Sequence, residues 1–299
     1  MKQSQPRAYL IDSSIYVFRA WFTVPDTITD LDGHPVNALY GFADFLLNLL
    51  EREQPRHIAC AFDESLETSY RNTIYPAYKA NREPAPPELK RQFQYCRELV
   101  RAAGIAEFAS DHYEADDIIG TFSRHMRRHG FQNMIISGDK DLAQLLVHRD
   151  YWWEYARNRR MNREDVYDHF GVYPEQIADL LALAGDAVDN IPGVPGIGLK
   201  TAAKILNKFG TLENTLDNIE QIGNMKFRGA KRAQQLLEEH QDKARLSKQL
   251  TVIVDDANLP DDHQALHRQP RETGLLETLL EHFGFGEFRR KRWLAAVAA

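Results

Sequence analysis

Nine carboxylates recur along this chain in short segments, at places where they could act together. Asp12 and Asp63 each end an apolar run, AYLID and HIACAFD. Glu114, Asp116 and Asp117 stand in EADDIIG, Asp139 and Asp141 in SGDKDLAQL, and Asp186 and Asp189 in GDAVDNIPG. A single strand-end aspartate is ordinarily a helix cap or a turn former, so neither Asp12 nor Asp63 argues alone. One acid of EADD suffices to cap the helix that follows. Three exceed that need, because carboxylates about 4 Å apart repel by about 4 kcal/mol at an effective dielectric near ~20, and a cation must offset that. Asp139 and Asp141, two apart after MIIS, face one way if the chain stays extended, with a turn as the competing reading. Asp186 and Asp189, three apart, share a face if their turn is helical. Oxygen donors without His or Cys suit Mg²⁺ or Mn²⁺ rather than Zn²⁺. Two such ions about 3.5–4 Å apart activate a water and stabilise the leaving oxygen in phosphodiester cleavage, so the chemistry expected of the acids is that of a nuclease.

Two further segments suit a phosphate-bearing substrate. In NIPGVPGIGLKTAAKIL, Gly193, Gly196 and Gly198 make a tight turn that opens onto a helix starting near Lys200. Glycines let a backbone approach a phosphate closely, and a helix N-terminus offers it N–H groups. Lys200, Thr201 and Lys204 follow on that helix. Such a hairpin grips backbone, not base sequence. In the stretch between residues 64 and 87, Tyr70, Arg71, Tyr75, Tyr78, Lys79 and Arg82 interleave aromatics with cations, a composition fit for stacking single-stranded bases and neutralising phosphate. Lys79 or Arg82 would also stabilise charge on the phosphate in a transition state.

The elements that must position these groups are those of an α/β protein. Residues 8–12, 57–63, 134–137 and 151–155 are short apolar runs, as in strands buried on both faces, and helical periods fill 37–53, 87–103 and 115–129 between them. Alternation of this kind predicts a parallel, or mixed, central sheet flanked by helices. Asp12 and Asp63 then lie where such sheets hold ligands. Beyond about residue 165 strand signals fade, and helical patterns near 175–184, 200–208, 229–249 and 274–282 predict a helical subdomain. The organisation expected is a nuclease core over 1–170 with an arch at about 64–95, a helix-hairpin-helix subdomain over 171–260, and a helical tail over 261–299.

With 299 residues and 43% hydrophobic content the chain can bury a substantial core, and its net charge of −6 argues against indiscriminate nucleic-acid binding. Lys and Arg nevertheless gather locally, at 79–91, 157–163, 200–208, 226–232 and 289–292, so an acidic hole inside a basic rim is consistent with that total. Two cysteines are too few for a disulfide framework and lack ligand spacing. Neither export nor membrane insertion is expected, and a cytoplasmic monomer is the default.

Strand-end Asp12 and Asp63, the segment YPAYKANR, then EADD, SGDKD and GDAVDNIPGVPGIGLKTA occur in an order that resembles the 5′-nuclease or flap-endonuclease family, especially the 5′–3′ exonuclease domains of bacterial DNA polymerases I. The likeness runs from about residue 8 to at least 255. It implies a PIN-like core and a two-metal site, with Asp12, Asp63, Glu114 and Asp116 nearer one ion, Asp139, Asp141, Asp186 and Asp189 nearer the other, and Asp117 in the same cluster. It implies that YPAYKANR lies in a helical arch, that Lys79 and Arg82 meet the scissile phosphate, and that Arg19 contacts DNA. It also implies that the hairpin glycines can hold K⁺ through backbone carbonyls while touching duplex phosphates. The partners implied are DNA 5′ ends, flaps and single-strand/duplex junctions. No polymerase domain fits in the chain, which is expected to act alone or as an excised piece. Two other readings stay open on the residues themselves: a PIN-like ribonuclease, and a branched-DNA-binding module without catalysis.

Overall fold

The computed structural model describes residues 5–64, 68–269 and 273–298. Residues 65–67 of the expected arch, 270–272 and 299 of the expected tail, and the first four residues lie outside the described residues. In chain order the elements are β1 (Arg7–Asp12), α1 (Ser13–Thr23), α2 (Asn37–Glu53), β2 (His57–Asp63), α3 (Tyr70–Ile74), α4 (Pro87–Ala102), β3 (Ala106–Ser110), α5 (Ala115–Arg128) and β4 (Gln132–Ile136). There follow β5 (Tyr151–Glu154), β6 (Arg159–Met161), α6 (Arg163–Phe170), α7 (Ile177–Ala184), α8 (Leu199–Phe209), α9 (Leu212–Asp217), α10 (Ala230–Thr251), α11 (Thr273–His282) and α12 (Glu287–Ala298). The chain divides into two units: Met1–Glu64 with Pro84–Gly138 and Asp255–Ala299, and Ser65–Glu83 with Asp139–Val254.

The first unit is built on parallel strands in the order β3-β2-β1-β4. Tyr9, Leu10 and Ile11 of β1, Ile58 to Phe62 of β2 and Met134, Ile135 and Ile136 of β4 are all buried, which is why these strands read as unbroken apolar runs. Strand β3 did not show in the sequence. It is an edge strand whose five residues are all half-buried, so AEFAS carries neither an apolar run nor a clean alternation. Helix α1 escaped notice for a different reason. Its apolar residues run almost all round it, from buried Tyr16 and Val17 to Phe22, which is 79% exposed, and this blurs the period. Helices α1 and α2 cross closely at Gly41, where a Cβ would stand 2.7 Å from Ala20 Cβ and 2.8 Å from Val24 Cγ2.

The second unit is mainly helical and includes the antiparallel pair β5 and β6. Lys248 of α10 pairs with the buried Asp179 of α7, and Thr251 Oγ1 donates to Ala178 O at 2.9 Å. The expected helical arch is not a helix over YPAYKANR. Of its described residues only Tyr70–Ile74 and the stretch from Pro87 are helical, and 76–82 form turns. Pro76, Pro84 and Pro86 remove donors a helix needs, and Lys79 has a left-handed backbone with φ of 55°. Among the described residues no helix is long and apolar enough to cross a membrane.

Gly41→Ala tests the α1/α2 crossing. Alanine favours a helix by about 1 kcal/mol over glycine, whereas forcing a methyl into a packed crossing costs about 1–3 kcal/mol. The variant is expected to unfold at lower denaturant concentration than the native chain, and a raised midpoint would contradict the close approach.

Candidate functional site

Each unit carries one set of the predicted acids. In the first, Asp12 ends β1 and occupies the cap position of α1, yet its side chain does not cap that helix. It accepts instead from Ser137 Oγ at 2.7 Å, just beyond the end of β4. Asp63 ends β2, where its N–H donates to Ser14 Oγ at 2.9 Å and its Oδ1 accepts from Ala115 N–H at 2.9 Å. Ala115 is the first residue of α5, so Asp63 satisfies an N–H that the helix itself cannot, and draws EADD to the end of β2. Within EADD, Glu114 takes the cap position of α5 and is met in a capping box by Asp117. Asp117 is fully buried and accepts Glu114 N–H at 3.1 Å, closing the first turn on itself. Asp117 thereby fixes the helix turn that presents Glu114 and Asp116. Glu114 is buried and Asp116 half-buried.

In the second unit Asp139 and Asp141 do not lie on an extended chain, as a spacing of two would need to set them side by side. Asp139 caps a 3-10 helix over Lys140–Leu145, its Oδ1 accepting Asp141 N–H at 2.9 Å. Nor is the segment around Asp186 and Asp189 helical. Asp186 and Ile191 exchange backbone hydrogen bonds of 2.9 and 2.8 Å, so the acids sit in a closed loop, with Asp186 Oδ1 accepting Val188 N–H at 2.8 Å. The loop closes because Gly185 and Gly193 lie back to back: a Cβ on Gly193 would stand 2.2 Å from Gly185 N.

These four acids face three cations. Lys140 pairs with Asp186 and lies 3.4 Å from Asp141 Oδ1, while Asp189 pairs with Arg82 and lies 3.8 Å from Lys79 Nζ. Burial, then the charges of Asp139, Asp186 and Asp189, push the Asp141 carboxyl up to about 8 against the pull of Lys140. Burial also raises Asp189 despite Lys79 and Arg82, whereas Lys140 overcomes the burial of Asp186 and holds it below the usual carboxylate range. Asp141 Oδ1 is buried and accepts no hydrogen bond among the described residues. A buried carboxylate oxygen without a donor, amid three more carboxylates, fits a hard divalent cation.

The segment holding Lys79 and Arg82 is fastened to that acid loop. Lys79 N–H donates to Asp189 O at 3.0 Å, Asn81 Nδ2 to Ala187 O at 3.0 Å, and Asn190 Nδ2 to Ala77 O at 2.6 Å. Three expected DNA contacts are corrected here. Arg71 is buried, with Nε donating to Leu250 O at 2.9 Å and Nη2 to Val252 O at 3.0 Å, so it ties α3 to the end of α10. Tyr78 is buried with Ile191 and Leu250, and Tyr75 packs half-buried against them, so neither ring is laid open as a stacking platform. Gly193 is corrected likewise: it is buried and its N–H donates to Ser247 Oγ at 3.0 Å. The outward part of the hairpin is Gly196 and Gly198, with Lys200 and Lys204 exposed on α8 and Thr201 half-buried beside them. In the first unit Arg19 is exposed on α1. Sequence reasoning passed over Lys140, Ser137, Asn81 and Asn190. Only Lys140 carried a signal, as a cation set between two aspartates.

A parallel α/β unit with carboxylates at its strand ends, and a helical unit with a cluster of buried aspartates, are features that a divalent metal would fit. Residues 7–171 match the family model of the 5′-3′ exonuclease N-terminal resolvase-like domain, and residues 172–274 that of the 5′-3′ exonuclease C-terminal SAM fold. The chain belongs to the 5′-3′ exonuclease family. It is 40% identical over 286 residues to DNA polymerase I of Bacillus caldotenax, and 41% identical over 289 residues to that of Geobacillus stearothermophilus. Each match covers 94% of this chain and 32% of the polymerase, so the chain spans about a third of the length of these relatives. The fold is similar to the T5 5′-exonuclease with zinc bound, at 20% identity, 98% coverage of both chains and a TM-score of 0.66. It is also similar to the catalytic core of Rad2 in complex with DNA substrate, at 15% identity, coverage of 98% of this chain and 93% of that one, and a TM-score of 0.66.

The raised Asp141 carboxyl gives a pH test. The folded chain keeps a proton that the unfolded chain gives up near pH ~4, so this group's effect is to lower stability as pH rises from there toward about 8. In chelator, Asp141→Asn is expected to melt higher than the native chain at pH 8, with the gap narrowing toward pH 5. A native chain that melts higher than the variant at pH 8 would overturn this assignment.

Proposed function

We propose that the chain is a structure-specific 5′-nuclease that hydrolyses DNA phosphodiesters near 5′ ends, flaps or single-strand/duplex junctions, by a two-metal mechanism, in replication or repair. The observation that carries this reading is the cluster of Asp139, Asp141, Asp186 and Asp189, with a buried Asp141 oxygen that lacks a donor and with Lys79 and Arg82 fastened to the same loop. Those four acids would hold one divalent cation, Mg²⁺ or Mn²⁺, and Asp12, Asp63, Glu114 and Asp116 the other. Such ions supply a water acidic enough to attack phosphorus near neutral pH. Lys79 and Arg82 bind and orient the phosphate and oppose its growing charge. Gly196, Gly198, Lys200, Thr201 and Lys204 grip the duplex backbone, the hairpin carbonyls would hold K⁺, and 171–260 acts as the DNA-binding subdomain. Such a protein works in the cytoplasm as a monomer. Against a branched-DNA-binding module without catalysis stands the cost of the acids: unused, they would only repel a polyanion.

Asp139→Asn together with Asp141→Asn is expected to abolish cleavage of a 5′-flapped duplex while leaving binding of that duplex measurable, and chelation should do the same to the native chain. Undiminished cleavage in either case would falsify the reading. Lys79→Ala should lower kcat by about a hundredfold with little change in affinity, as fits a charge acting on the transition state. Lys200→Ala should instead weaken DNA binding and reduce the slope of log affinity against log salt by about one. Equal losses of rate and affinity for Lys79→Ala, or an unchanged slope for Lys200→Ala, would contradict these roles.

A further inference from the structure

Of the cations that face the acids of the second unit, Lys140 is placed differently from Lys79 and Arg82. Those two both meet Asp189, on the side where their own segment is hydrogen-bonded to the acid loop. Lys140 instead reaches acids of two segments: its ammonium pairs with Asp186 Oδ2 and lies 3.4 Å from Asp141 Oδ1. It opens the 3-10 helix over Lys140–Leu145, whose cap Asp139 and first-turn Asp141 are themselves members of the cluster.

That ammonium stands where a divalent ion would need to be. Asp141 Oδ1 is the buried oxygen that accepts no hydrogen bond among the described residues, and Asp186 is buried too. Mg²⁺ takes carboxylate oxygens at about 2.0–2.1 Å, so an ion held by Asp141 and Asp186 together fills the gap between their oxygens. Lys140 Nζ lies in that gap, in contact with one oxygen and near the other. Two cations cannot share it, by size and by repulsion. The Lys140 side chain is 36% exposed, so it can turn into water while its short helix stays in place. Lys79, 10% exposed and tied to Asp189 O through its own N–H, has no such freedom.

We propose that Lys140 is a built-in stand-in for the divalent ion: its ammonium bridges Asp141 and Asp186 in the metal-free chain and swings out when an ion takes those two carboxylates. The inference rests on the two-metal reading of these acids. Lys140 then does two things. Without metal it keeps crowded, buried carboxylates from repelling one another, and it sets metal affinity, because each binding event must first break its ion pairs.

Mn²⁺ binding to the full chain, followed by electron paramagnetic resonance after chelator treatment and dialysis, tests this without any cleavage. The binding that Asp139→Asn with Asp141→Asn removes identifies this cluster. There Lys140→Gln is expected to tighten Mn²⁺ binding by about tenfold, and Lys140→Arg, which keeps the charge, to stay near the native affinity. A second readout needs no variant. Acylation of Lys140 by an amine-reactive ester, measured at that residue by mass spectrometry, should be slow in chelator and speed up when Mn²⁺ is added to the native chain. Unchanged or weaker Mn²⁺ binding in Lys140→Gln, equal tightening in Lys140→Arg, or acylation that Mn²⁺ does not speed up would overturn the inference and leave the two-metal reading standing. A native chain with no Mn²⁺ binding that depends on Asp139 and Asp141 would overturn both.

Discussion

Carboxylates taken out of water must be matched by positive charge, and the second unit is organised around that requirement. Asp141, Asp186 and Asp189 are buried and Asp139 half-buried, and they share three cations drawn from two segments. Lys140 comes from the same short helix as Asp141. Lys79 and Arg82 come from a segment that has little regular structure of its own and is held by backbone and side-chain hydrogen bonds to the acid loop. The surrounding architecture keeps the acids where they repel one another: Gly185 against Gly193 shuts the loop, and Arg71 clamps the start of the cationic segment to the end of α10. Four carboxylates against three cations leave an excess of negative charge, and the raised Asp141 carboxyl is where that excess shows. The charge balance thus fits a site that would hold a divalent ion.

The first unit handles its acids with hydrogen bonds. Asp12 and Asp63 stand at the ends of neighbouring parallel strands, β1 and β2, whose buried faces fix their register, and Ser137 and Ser14 satisfy polar atoms there. Asp63 then docks the start of α5, so that one aspartate both ends a strand and brings the next pair of acids to that edge. The turn closed by Asp117 beneath Glu114 is part of the same arrangement, since a capped helix start holds its neighbouring side chains in place.

Much of this was legible before any coordinates, and what was not legible failed for physical reasons. Strands β1, β2 and β4 and helices α2, α4 and α5 announced themselves because burial on two faces, or on one stripe, imposes a strong pattern. The edge strands β3 and β6 carry no such pattern because only part of each is covered. The nine acids were singled out by type and grouping, but their local geometry was not legible. The spacing of Asp139 and Asp141 suggested an extended chain, whereas Asp139 spends its side chain capping a 3-10 turn. Composition also misled in the cationic segment. Arg71, Tyr75 and Tyr78 look like a surface for bases, yet they are the residues that pack this irregular stretch against α10 and the acid loop. A residue suited to a ligand is often equally suited to a core, and only tertiary contacts separate the two.

The central claim is that the chain is a 5′-nuclease acting on branched DNA, and mapping products from end-labelled substrates tests it most directly. A flapped, a nicked and a blunt duplex, each labelled at one defined end, would be incubated with the full chain in Mg²⁺. The account predicts cuts at or near the 5′ strand end or junction, leaving a 5′-phosphate on the retained strand. Cuts confined to 3′ ends, cleavage of matched RNA junctions in preference to DNA, or binding of the flap without any cut in Mg²⁺ would contradict it.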